Sequence, residues 1–73
     1  MSMVQVEAPV TGVVWKVECS VGANVDEGQV IMILESMKME SPVEAETAGT
    51  IRELKVKEGD SVEEEQVLCL IEA

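Results

Sequence analysis

Two stretches, APVTGVVWKVECSVGANVDEGQVIMILE (residues 8–35) and AETAGTIRELKVKEGDSVEEEQVLCLIE (residues 45–72), align with each other without a gap at a constant offset of 37 residues. Eight of the 28 aligned positions are identical, and several others exchange one aliphatic side chain for another. The identical pairs are Ala8/Ala45, Gly12/Gly49, Gly22/Gly59, Val25/Val62, Glu27/Glu64, Gln29/Gln66, Val30/Val67 and Glu35/Glu72. Self-similarity at one fixed offset indicates that the chain duplicates a single structural unit.

Both units are predicted to be built from strands. The chain has thirteen valines and four isoleucines, and β-branched side chains are restricted in helices but pack well on sheets. Each unit predicts a strand, a turn opened by glycine, a buried valine (Val25 or Val62) and a second strand. The predicted strands are Gly12–Cys19, Gln29–Glu35, Gly49–Val56 and Gln66–Glu72, with short additional strands at Val4–Ala8 and Met39–Ala45.

The apolar positions of the first strand break strict alternation at the same place in both units. They fall at Val14, Val17 and Cys19 in the first unit, and at Ile51, Leu54 and Val56 in the second. A step of three followed by a step of two predicts a β-bulge that lets the strand wrap around a barrel. We therefore expect an all-β single domain over residues 1–73. It should be a flattened barrel or sandwich of two four-stranded antiparallel sheets with a pseudo-twofold internal repeat, a barrel-sandwich hybrid.

Both cysteines occupy positions that the other unit fills with a plain hydrophobic residue. Cys19 aligns with Val56, and Cys69 aligns with Met32. We therefore expect both thiols to be buried, reduced and unreactive. A disulfide that staples so small a domain is the alternative.

Composition excludes several classes of function. The 73 residues carry a formal net charge of −10, which repels nucleic acid and anionic membrane surfaces. The longest apolar run, Val30 to Leu34, has five residues, whereas roughly 20 are needed to span a bilayer. No basic segment followed by an apolar stretch opens the chain, so we expect a cytoplasmic protein. Histidine is absent and the only core is small, so the sequence predicts no catalytic residue and no metal site.

One segment has no counterpart in the repeat. Glu35-Ser36-Met37-Lys38-Met39-Glu40 joins the two units, and shifting Met37 and Lys38 by 37 residues in either direction runs off the chain. If the pseudo-twofold holds, Lys38 lies at the tip of a tight hairpin that faces away from both termini. Tight hairpins favour Asn-Gly or Asp-Gly at the tip, so this turn is either strained or opens into a looser loop. An ordinary solvated lysine is the alternative to a functional one.

The sequence Glu-Ser-Met-Lys-Met at 35–39, midway through a duplicated β unit, resembles the biotinyl domain of biotin-dependent carboxylases, whose fold lipoyl domains share. The resemblance extends over essentially the whole chain and includes Gly12, Gly22, the turn Asp26-Glu27-Gly28-Gln29 and Gly59-Asp60. One departure is Glu65, which stands where the family commonly keeps a glycine and where the first unit has Gly28. That turn should be strained by about 1 kcal/mol.

The resemblance implies that Lys38 is joined covalently to the cofactor biotin by a biotin protein ligase, which recognises Glu35, Met37 and Met39. It implies a biotin carboxyl carrier, itself not an enzyme, that carries carboxybiotin between the biotin carboxylase and carboxyltransferase domains or subunits. Lipoyl domains usually have Asp-Lys-Ala at this place, so Met37 and Met39 favour biotin. A lipoyl or dual biotin/lipoyl carrier, and an unmodified barrel that serves as an interaction module, remain the alternatives.

Overall fold

A computed structural model describes residues 2–73, which form eight β-strands in two four-stranded antiparallel sheets. Sheet 1 has the strand order β1-β8-β6-β3, and sheet 2 has the order β5-β4-β2-β7. The strands are β1 (Met3–Glu7), β2 (Gly12–Val17), β3 (Asn24–Val25), β4 (Val30–Ser36), β5 (Met39–Glu44), β6 (Gly49–Leu54), β7 (Ser61–Val62) and β8 (Val67–Glu72). Within residues 2–73, no helix is long and apolar enough to cross a membrane.

The two units are related by a pseudo-twofold that exchanges the sheets. An offset of 37 residues converts β1, β2, β3 and β4 into β5, β6, β7 and β8, and each strand keeps equivalent neighbours. Hydrogen bonds repeat as well: Val14 N–H donates to the Asp60 carbonyl at 2.8 Å, and Ile51 N–H donates to the Ala23 carbonyl at 2.9 Å. The predicted all-β sandwich with an internal repeat is therefore confirmed.

The bulges also lie where the sequence predicts them. The pairing of β2 with β4 shifts register between Val14 and Lys16, and the pairing of β6 with β8 shifts between Ile51 and Glu53. A bulge sets two residues of one strand against one residue of its partner. In β2 the side chains of Trp15 and Lys16 therefore lie together on the solvent face, and both are exposed.

The first strands of both units are shorter than predicted. They end at Val17 and Leu54, because the chain then leaves one sheet and crosses to the other. Glu18 N–H still donates to the Ile31 carbonyl of β4, but Gly22 N–H donates to Ile51 in the opposite sheet. The buried valines predicted in the turns instead belong to the two-residue strands β3 and β7.

The core lies between the sheets, and among residues 2–73 no polar or charged side chain is buried in it. Equivalent residues of the two units meet there, as the repeat requires. The most deeply buried side chains are Ile31, Met32, Leu34, Ile51, Leu68, Ile71, Val6, Val14, Val62 and Cys69. At about 1.5–3 kcal/mol for each fully buried aliphatic side chain, this apolar filling is what holds so small a domain together.

The prediction that both cysteines are buried is right for Cys69 and wrong for Cys19. Cys69 is fully buried, whereas Cys19 is only partly buried, and both thiols are free. The alignment failed here because equivalence in the repeat does not impose equal burial: past the ends of β2 and β6, Val56 is buried in the core, whereas Cys19 packs against the core only in part. Burial raises the pKa of both thiols, and the neighbouring Cys19 adds to the effect on Cys69, whose pKa rises to about 11.

We expect Cys69 to resist alkylation in the folded protein. A pKa of about 11 leaves about one part in 10³ as thiolate at pH 8, and the side chain has no access to solvent. Iodoacetamide at pH 8, followed by intact-mass analysis, should show slow labelling of Cys19 and none of Cys69 until urea unfolds the chain. Labelling of Cys69 at the rate of a free thiol would contradict the burial described here.

Glu65 takes the backbone conformation of the glycine it replaces. Its φ is 73°, against 85° for Gly28 at the equivalent turn, and positive φ is unfavourable for a residue with a Cβ. The sequence predicted strain at this turn, and the structure places it in the backbone of Glu65 itself.

We expect Glu65→Gly to raise the free energy of unfolding by about 1 kcal/mol, because it relieves this conformation. The reverse change, Gly28→Glu, should lower it by a similar amount, since a Cβ at Gly28 meets no atom within 4 Å and only the backbone is affected. Urea denaturation measures both. Glu65→Gln is the control for charge, because it removes the carboxylate but keeps the strained backbone. If Glu65→Gln raises the free energy of unfolding as much as Glu65→Gly does, the effect is due to charge and not to strain.

Candidate functional site

The segment outside the repeat is a two-residue hairpin between β4 and β5. Ser36 pairs with Met39, which leaves Met37 and Lys38 as the turn, with φ values of 51° and 65°. Two successive positive φ values define the type I′ turn that tight hairpins prefer, normally with Asn and Gly. Of the two outcomes that the sequence allows, strain or a looser loop, the structure shows strain. Each non-glycine residue held this way costs on the order of 1 kcal/mol.

The hairpin tip and the chain termini lie at opposite ends of the sandwich. Met3 of β1 pairs with Glu72 of β8 at the end that holds the termini. The chain then runs along β1 to the other end, where a Cβ on Gly12 would meet the Glu35 carbonyl and the Ser36 side chain, directly beneath the turn. The molecule measures 37 × 17 × 16 Å. The tip therefore projects from the pole that is remote from both termini.

All three residues at the tip point into solvent. Lys38 is exposed, and the methionines that flank it are 92% (Met37) and 68% (Met39) exposed. None of the ion pairs formed within residues 2–73 involves Lys38. Methionine is normally a core residue, so two of them beside an accessible amine form a surface that the fold itself does not use.

Glu35 lies one strand position below the hairpin and is exposed. Its cross-strand partner is Glu40, a residue that the sequence analysis did not single out. Because the 180° period of strands puts paired residues on the same face, both carboxylates flank the base of the turn. The structure thus brings together the predicted site residues Met37, Lys38, Met39 and Glu35. It adds Glu40, which lies beside them because it pairs with Glu35 across the strands.

The tip has neither a cavity nor a metal-binding group beside it. The surface of residues 2–73 has an open groove of about 360 Å³ beside Val17, Leu54 and Val56, and another of about 170 Å³ beside Pro9 and Pro42. No hairpin-tip residue lines either of them. No cluster of three potential ligands suited to a metal ion occurs among the described residues. The arrangement offers one accessible primary amine at the tip of a two-residue turn, which suits covalent modification by another protein.

Comparison with known proteins agrees with this geometry. The sequence model of a family described as "Biotin-requiring enzyme" matches residues 4–71. The chain is 50% identical over 40 residues to a putative urea carboxylase of Emericella nidulans. It is 53% identical over 38 residues to the mitochondrial methylcrotonoyl-CoA carboxylase subunit alpha of Oryza sativa. Over 40 residues it is 46% identical to the biotin/lipoyl attachment protein of Bacillus subtilis.

These alignments cover 52–55% of this chain, but only 3% and 5% of the two carboxylases and 55% of the Bacillus protein. Solved structures extend the likeness to 97% of the chain. The urea carboxylase of Kluyveromyces lactis superposes with a TM-score of 0.90 at 31% identity, over 6% of its own length. A single-chain, multi-domain long-chain acyl-CoA carboxylase superposes with a TM-score of 0.87 at 25% identity, over 7% of its length. With nearly every residue matched by the family model and the sandwich reproduced in two carboxylases, the chain belongs to the biotin/lipoyl attachment-domain family.

Proposed function

We propose that this domain is a biotin carboxyl carrier whose Lys38 is modified by a biotin protein ligase. The observation that carries the proposal is the position of Lys38, an exposed amine in a strained two-residue turn at the pole remote from the termini. A chain that joins the domain to other domains would therefore leave the amine unobstructed. The flanking Met37 and Met39 and the nearby Glu35 supply the surface that the ligase recognises.

The modification is an acyl transfer to Lys38. The Nζ lone pair attacks the carboxyl carbon of biotinyl-adenylate, an amide bond forms, AMP leaves, and the Nζ proton passes to a base. An amine must be neutral to act as a nucleophile, and neither of the residues that flank Lys38 at the tip, Met37 and Met39, has a basic group that could take the proton. The ligase must supply the base, so the domain acts as substrate and carrier and has no catalytic residue.

Biotin fits the site as it stands. The tip projects from the sandwich and has no cavity to fill, so a group joined to Lys38 extends into solvent. When attached, biotin supplies the nitrogen that holds a carboxyl group for transfer. The hairpin places the attachment point at one pole of the sandwich, and tethering converts encounters with biotin carboxylase and carboxyltransferase into intramolecular ones at high effective concentration.

A lipoyl carrier is the second candidate function. The observation that favours it is the similarity to a Bacillus subtilis protein named for both attachments. Co-expression of the domain with a biotin protein ligase, and separately with a lipoate-attaching enzyme, tests the choice by intact mass. We expect a biotin-sized increment in the first case and none in the second. The reverse result would establish a lipoyl carrier, and no increment in either would favour an unmodified interaction module.

The flanking methionines should decide which cofactor is attached. We expect the double change Met37→Asp and Met39→Ala to lower the rate of biotinylation at least tenfold and to allow lipoylation, because a ligase discriminates through contacts beside the reacting amine. Both side chains are exposed, so the fold should be unaffected. The rates come from timed reactions followed by mass spectrometry. Unchanged biotinylation would contradict the recognition role of Met37 and Met39.

A further inference from the structure

The two units differ where their outer faces should be equivalent. In sheet 1 the bulge residue Arg52 forms an ion pair with Glu72. The equivalent residues in sheet 2 are Trp15 and Glu35, so tryptophan stands in place of the cation. No lysine or arginine within residues 2–73 forms an ion pair with Glu35 or with its cross-strand neighbour Glu40. The pseudo-twofold is thus broken on the sheet that carries the Lys38 hairpin.

Exposed apolar side chains collect on this same outer face. Val13 is 41% exposed and pairs with Glu35, and Trp15 is 50% exposed in the bulge opposite Ile33. Ile33 in turn pairs with the exposed Pro42 of β5. We define the Trp15 face as Val13, Trp15, Ile33 and Pro42, bordered by Glu35 and Glu40 on the side of the hairpin. On the side away from the hairpin, Lys16 lies beside Trp15 in the bulge and forms an ion pair with Glu18.

The acidic border of the Trp15 face does not add to the stability of the isolated domain. Carboxylates directly opposite each other on neighbouring strands are destabilising, and sheet 1 shows that the bulge accepts an arginine that would neutralise one of them. Trp15 is the chain's only aromatic residue, and tryptophan is strongly enriched among the residues that dominate protein interfaces. An apolar centre with an acidic border fits a partner surface that is apolar with a basic rim.

We propose that the Trp15 face is the docking surface for the biotin protein ligase that modifies Lys38, an inference that rests on the proposed function. Strands rise by roughly 3.3 Å per residue, so Trp15, opposite Ile33, lies roughly 10 Å along β4 from the base of the turn. A ligase must bring its reactive carbon to within bonding reach of Nζ itself. Its surface then covers the adjoining strand face.

The other possible occupants fit less well. A second copy of the chain would bring its own Glu35 and Glu40 against those of the first, with a charge of −10 on each partner, and like charges repel. Carboxylase active sites receive the far end of the long arm attached to Lys38, so they need not approach the strand face closely. Only the enzyme that works on the amine is forced to cover it.

The experiment is steady-state biotinylation by a biotin protein ligase with the domain as the varied substrate. Trp15→Arg gives sheet 2 the residue that sheet 1 already has in its bulge, so it preserves the fold and gives Glu35 a cation. We expect KM for the domain to rise roughly tenfold or more with kcat little changed. Arg52→Trp is the matched control: the same change in the equivalent bulge should leave KM unaltered.

A second readout observes binding without turnover. Because Trp15 is the only tryptophan, a 5-fluorotryptophan-labelled Lys38→Arg domain gives one ¹⁹F resonance, which should shift when unlabelled ligase is added. If the ligase modifies the wild type and Trp15→Arg has the same KM, the docking inference is wrong but the proposed function stands. If the ligase does not modify the wild type, the proposed function and the docking inference are both wrong. Two further outcomes would also contradict the inference. If the domain forms a dimer that Trp15→Arg dissociates, the Trp15 face binds a second copy of the chain. If Trp15→Arg impairs carboxylation while KM for the ligase is normal, the face binds a carboxylase.

Discussion

Replacing Lys38 with arginine abolishes modification while the fold is retained: this is the expected result with the largest effect on function. A guanidinium keeps the positive charge but stays protonated and is a poor nucleophile. The side chain is exposed and forms none of the ion pairs found within residues 2–73, so the urea midpoint should match that of the wild type. Intact mass after co-expression with a biotin protein ligase gives the outcome.

The other lysines provide matched controls. Lys16, Lys55 and Lys57 are also exposed primary amines, but none lies at the tip of a hairpin. Lys16 and Lys55 form ion pairs with neighbouring glutamates. Changing each of the three to alanine should leave the mass increment intact. A residual increment in Lys38→Arg, or its loss in any of these controls, would mean that accessibility at the pole is not what selects the lysine.

The largest expected effect on stability comes from the two glycines that open the first strand of each unit. A Cβ at Gly12 would overlap the Glu35 carbonyl oxygen, and one at Gly49 would overlap the Glu72 carbonyl and lie 2.8 Å from Ile71 Cγ2. The clash is with backbone, which cannot rotate away. We expect either glycine-to-alanine change to lower the free energy of unfolding by about 1–3 kcal/mol, as overpacking does, measured by urea denaturation.

The two glycine variants should differ in function. Gly12 abuts the end of β4 beneath the Lys38 turn, whereas Gly49 abuts the end of β8 at the opposite pole. Under conditions where both variants are folded, Gly12→Ala should slow biotinylation by displacing the base of the hairpin. Gly49→Ala should be modified at the wild-type rate. Equal rates in the two would show that hairpin geometry does not control recognition.

Much of the fold can be predicted from the repeat because both units must satisfy the same packing. Aligned glycines, valines and broken alternation located the strands, the buried Val25 and Val62, and both bulges. The strand ends at Val17 and Leu54 could not be predicted, because the apolar alternation continues to Cys19 and Val56 while the chain already crosses between sheets. The partial exposure of Cys19 could not be predicted either, because the equivalent Val56 is buried and the alignment predicts the same for Cys19.

The sequence predicts Lys38 at the centre of the candidate site, but it does not predict Glu40 and Trp15 in the surface around it. Lys38 stands out because it has no partner in the repeat, and a Met-Lys turn without Asn or Gly allows strain as one of two outcomes. The positive φ values of both residues agree with strain. The position of Glu40 opposite Glu35 depends on the register of β4 and β5, and the outward direction of the Trp15 side chain depends on the bulge in β2. One signal was present in the sequence: Trp15 aligns with Arg52 while Glu35 aligns with Glu72, so an ion pair possible in one unit is impossible in the other.

The central claim is that the fold holds one amine at its free pole for a biotin protein ligase. The most direct test is to treat the folded wild-type domain with limiting ligase, biotin and ATP, and to map the modified residue by tandem mass spectrometry of its proteolytic fragments. We expect biotin on Lys38 and on no other lysine. Biotin spread over Lys16, Lys55 and Lys57, or found only after the domain is unfolded, would contradict it.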